Sequence, residues 1–110
     1  MVDIGKIRKK ANEFNCFFSK ISKVYPDTRN MVYGGVDPRQ ALKYTNSILQ
    51  NIKNYEDSRD EKNLKNIYSI FTQITRGVEG FKDPLLDREF GDLDKGLLDI
   101  RTNIEDNVNW

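Results

Sequence analysis

Apolar residues recur along this chain at steps of three and four, the spacing that gathers side chains on one face of an α-helix. The first run is Ile4, Ile7, Ala11, Phe14, Phe18, Ile21 and Tyr25, and it predicts a helix over residues 3–25. Pro26 stops it, because proline has no N–H to donate and disfavours helical geometry in the residue before it. A second run, Leu42, Thr45, Ile48 with Leu49, Ile52 and Tyr55, predicts a helix over 37–56. Asp37 is placed to cap that helix, Pro38 suits its first position and Gln40 completes a box-like cap.

The third run is the most regular: Leu64, Ile67, Phe71, Ile74, Val78 and Phe81, for a helix over 60–79. Its start offers two caps, Ser58 with Glu61 at capping-box spacing, and Asp60. Gly77 and Gly80 each cost a helix interior about 1 kcal/mol against alanine, so the helix is expected to end near them. Asp83 and Pro84 then repeat the Asp-Pro start. Leu86, Phe90, Leu93, Leu97, Ile100, Ile104 and Val108 predict a fourth helix over 83–106. Gly91 and Gly96 fall inside it, and imply either a kink or break near Gly91 or a shallow groove where a partner approaches.

Four apolar stripes need one another. Helices of about 20 residues, near 30 Å long, joined mostly by short turns predict an all-α fold in a single domain over 1–110. The expected arrangement is a four-helix up-and-down bundle, with a three-helix core plus a broken fourth helix as the alternative. No period-two alternation is long enough to predict a strand. Photosystem extrinsic subunits and bacteriocin immunity proteins are similar in size and general architecture, which implies only that binding roles suit such a scaffold and transfers no residues.

The connection over 26–36 exceeds the ~2 to 8 residues usual in bundles, and it carries the apolar trio Met31, Val32 and Tyr33. Such a trio either tucks over the bundle end or is offered to another protein. Trp110 poses the same choice, a cap beside Val108 or an anchor for docking.

Charge narrows the chemistry. The 110 residues carry 18 Lys and Arg against 17 Asp and Glu, a net charge of +1 that draws the chain to no polyanion as a whole. Locally, Lys6, Arg8, Lys9 and Lys10 are the best nucleic-acid candidates, but no nucleic-acid-binding motif accompanies them and the acidic last helix would repel a polyanion. Nucleic acid is therefore the alternative partner. The basic start can equally face acids of the fourth helix.

The stretch "EFGDLDKG" has the look of a calcium loop. Started at Asp92, a loop of that kind has Asp94 at position three but Gly96, Leu97 and Asn103 where a ligand, the turn glycine and the closing carboxylate belong. Started at Asp87 it fits less well, and both frames absorb core residues. Asp87, Glu89, Asp92, Asp94 and Asp99 are instead expected on the solvated face of a helix, and no metal or other cofactor is expected.

The chain has no histidine, which removes the commonest acid/base near neutral pH and the usual activator of serine or cysteine. Its single cysteine, Cys16, sits among Phe14, Phe17 and Phe18 and is expected to be buried. "YGGVDP" lacks the lysine and the strand of a phosphate-binding loop. The expected function is a non-catalytic protein-interaction module, an accessory, assembly or inhibitory subunit docking on a larger protein. The candidate contacts are Met31, Val32, Tyr33, Gly91, Gly96 and Trp110. No apolar run approaches the ~20 residues that span a bilayer, so no membrane insertion is expected. An intracellular compartment is the default, and a processed organellar chain would have the same features.

Overall fold

A computed structural model describes residues 1–110 and gives a four-helix bundle measuring 39 × 22 × 21 Å. Its elements are α1 (Ile4–Val24), a 3-10 turn (Arg29–Met31), α2 (Pro38–Ser58), α3 (Glu61–Val78), α4 (Pro84–Lys95) and α5 (Leu97–Asn107). The last two make one bent rod, the fourth of the bundle. No helix is long and apolar enough to cross a membrane.

Hydrogen bonds between neighbours show the directions. Arg8 meets Glu56 and Asn15 meets Asn46, so α1 and α2 run oppositely. Asn51 meets Asn66, and Val36 N–H meets the Gly77 carbonyl, which opposes α2 to α3. Tyr68 donates to Glu105 and Arg101 to Thr75, opposing α3 to α5. The ring closes where Asp3 N–H donates to Asn103 Oδ1 at 2.9 Å and Lys10 Nζ to the Leu93 carbonyl at 3.1 Å. This is the up-and-down order.

Four aspartates cap four helix starts. Asp3 accepts from Lys6 N–H at 3.0 Å, Asp37 from Arg39 at 3.1 Å, Asp60 from Lys62 at 3.0 Å and Asp83 from Leu85 at 2.9 Å. Each bond satisfies an amide with no partner inside its helix, for about 1 kcal/mol. Ser58 is not the cap of α3, because α2 runs on through it; its hydroxyl donates to the Asn54 carbonyl.

The core is a cluster of 21 buried apolar residues that includes all 6 phenylalanines. Their rings lie 5.3 to 6.3 Å apart, mostly tilted or edge-on, geometries that suit the ring quadrupoles. Phe17 joins the stripe of α1 and widens it, whereas Tyr25, at the C-cap, is exposed.

Two expectations are corrected. The break in the fourth rod is at Gly96, and α4 continues through Gly91 without interruption. At the break, Lys10 Nζ of α1 donates to the Leu93 carbonyl, which in an unbroken helix accepts from the N–H of Leu97. A Cβ on Gly96 would stand 2.9 Å from that ammonium. Cys16 is exposed, not buried. It lies two positions beyond Phe14, about 200° around the helix, and so leaves the core face.

Candidate functional site

The loop trio divides. Val32 is buried and bridges to Phe81, Met31 is half-buried, and Tyr33 alone is well exposed. Tyr33 N–H donates to the Gly80 carbonyl at 3.0 Å, Gly34 to Val78 at 3.0 Å and Val36 to Gly77 at 2.9 Å, while Lys82 N–H returns a bond to the Met31 carbonyl at 2.9 Å. Two of these bonds reach carbonyls of the last turn of α3, those of Gly77 and Val78. A Cβ on Gly34 would lie 1.8 Å from the Gly77 oxygen, and one on Gly77 would lie 2.1 Å from Val36 Cγ2, so both glycines allow backbone and side chain to meet. Most of the trio is therefore a plug.

Trp110 is at the other end of α3. It meets Tyr68 edge-on at 5.4 Å, with Lys65 Nζ 5.9 Å from its ring centre, and it stays 63% exposed while Val108 enters the core. Beside it, the hydrogen bond from Tyr68 to Glu105 raises the tyrosine pKa above its ordinary value, since ionisation would lose the donated proton; partial desolvation and the glutamate charge act in the same direction. Gly91 leaves open space, with nothing within 4 Å of a Cβ placed there, and Gly96 faces Lys10. The six candidate contacts do not assemble into one surface.

The basic quartet is also partly engaged. Arg8 pairs with Glu56, and Lys10 bonds both Leu93 and Glu13, with 14% of its side chain exposed. Lys10 thus meets a carbonyl of α4 and no acid of that helix. Lys6 and Lys9 form no ion pair. The acids Asp87, Glu89, Asp92, Asp94 and Asp99 are all exposed. Asp87 has one structural duty, accepting from Phe81 N–H at 3.0 Å.

An open groove of about 810 Å³ lies between α1 and α4. Phe17, Leu93 and Cys16 supply its apolar part. On the α1 wall Arg8, Lys9 and Lys20 outweigh Glu13, and the α4 wall carries Glu89 and Asp92. The groove thus combines three apolar side chains with a positive excess on its α1 side and acids on its α4 side. A signal for it exists in the sequence: Gly5, Lys9, Asn12, Cys16 and Lys20 form a second three-four register beside the core stripe, rich in small and polar residues.

Searches against family models, curated proteins and solved structures return no match for this chain.

Proposed function

We propose that the chain is a non-catalytic protein-interaction module, an accessory, assembly or inhibitory subunit that docks on a larger protein by receiving one of its helices in the α1/α4 groove. The observation that carries this reading is an open groove with apolar side chains in its lining, a positive excess on its α1 side and acids on its α4 side. A helix that fits it has an apolar stripe flanked by acids on the edge over α1 and by lysines or arginines on the edge over α4. Apolar contact supplies most of the affinity, and the exposed charges fix orientation and speed encounter. The only thiol stands on this open surface in a chain without histidine, which favours binding over catalysis.

The test begins with a partner co-purified from native extract, identified and prepared in pure form. Lys9→Glu with Lys20→Glu should weaken its binding by about tenfold or more, and Tyr33→Ser should leave it within about twofold. The reading fails if the reverse is found. Nucleic acid is the less supported alternative, because Arg8 and Lys10 are engaged within the chain. Salt-sensitive binding of nucleic acid that disappears when Lys6 and Lys9 are neutralised would restore it.

A further inference from the structure

We infer that a second recess, of about 730 Å³ between the 29–37 loop and the first turns of α2, is a binding site for a phosphate monoester group. It is separate from the α1/α4 groove and does not depend on it. Arg29, Arg39 and Lys43 bring three positive charges to its lining, against one negative charge from Asp37. None of the chain's three ion pairs involves these cations. The Asp37 carboxylate is committed to structure: its Oδ1 accepts from the hydroxyl of buried Thr28 and from Arg39 N–H, the N-cap bond of α2. With that cap filled, the recess depends on its side chains and not on the bare start of the helix.

Donors remain free on the other walls. Tyr44 accepts from Gln40 Nε2 at 3.1 Å, which leaves its own O–H to donate. Arg39 Nη2 donates to the Tyr25 carbonyl at 3.1 Å, which holds the guanidinium in place with further N–H groups unspent. At Gly35 a Cβ would meet nothing within 4 Å, so a ligand oxygen has room beside the backbone. The net charge of the lining and its free donors together point to the ligand class. A surplus of two positive charges suits a dianion over a single carboxylate, and a phosphate monoester, at about −1.5 to −2 at pH 7, adds three clustered acceptor oxygens for the arginine N–H groups and the Tyr44 hydroxyl.

The phosphate can be that of a small molecule or of a phosphorylated side chain. The test is titration of 15N-labelled protein at constant ionic strength with inorganic phosphate, with a phosphoserine peptide and with succinate, following the amides of Gly34, Gly35 and Lys43. Phosphate should give saturable shifts at these amides. Lys43→Gln, at an exposed residue that bonds nothing in the chain, should weaken binding about tenfold, and Lys53→Gln, farther along α2, should leave it within about twofold. Tighter binding of the peptide than of phosphate identifies the side-chain source; equal binding identifies the small-molecule source. Shifts that do not saturate, succinate binding as tight as phosphate, or equal losses in Lys43→Gln and Lys53→Gln would overturn the assignment.

Discussion

Gly34 with Gly77 at the loop end of the bundle and Gly91 with Gly96 on the fourth rod are two glycine pairs that behave differently. At the loop end, added methyl groups would lie 1.8 Å from the Gly77 oxygen and 2.1 Å from Val36 Cγ2. On the fourth rod, Gly91 meets nothing, and Gly96 meets only the flexible end of Lys10 at 2.9 Å. The first pair seals one end of the molecule. On the fourth rod, beside Glu89, Asp92 and Leu93, α1 and α4 leave a groove open. The difference teaches that concave surface remains where two helices stop short of packing fully, and that an apolar loop is no guide to open surface when its amides close a helix.

Substitutions at the glycines put that contrast at risk. Gly77→Ala and Gly34→Ala should each destabilise by about 3 kcal/mol or more in denaturant titration, because the clash exceeds the ~1 kcal/mol that alanine gains in a helix. A loss below about 1 kcal/mol at both sites would mean that the loop can move aside and the end is not sealed. Thr28→Val removes the hydroxyl that holds Asp37, and should cost about 1 to 2 kcal/mol in the same assay. Gly91→Ala should have the opposite sign and stabilise by up to about 1 kcal/mol, since the added methyl fills open space in a helix interior. Lys9→Glu with Lys20→Glu should change stability by no more than about 0.5 kcal/mol, which separates a binding surface from a packing one.

The end of α3 that carries Trp110 supplies a pH test. Tyr68 ionises above its ordinary value of 10.0 because it donates to Glu105. Its neutral form is favoured in the folded chain, so the stability from this bond is fully present below that value and is lost as pH rises through the higher folded pKa. Tyrosinate absorbance should show the shift, and Glu105→Gln should reduce it.

The four stripes, with the aspartate caps at Asp37 and Asp83, made the four rods legible, because helical periodicity and capping are local signals. Two features were not legible, because each depends on contacts distant in sequence. Nothing near Gly96 announces that Lys10 will take the Leu93 carbonyl. Nothing near Val32 announces its bridge to Phe81. Cys16 misled because three neighbouring phenylalanines suggested burial, whereas its helical phase pointed outward. The groove was half visible, as a polar register on α1, but its acidic wall required the juxtaposition of α1 and α4.

The most direct test of the groove is a charge swap between purified chain and partner. Lys9→Glu with Lys20→Glu should weaken binding by about tenfold or more, and lysines replacing the acids that face them on the partner helix should restore most of that loss. Binding that stays within about twofold of the unmodified pair, or a loss that no partner substitution repairs, would contradict the account.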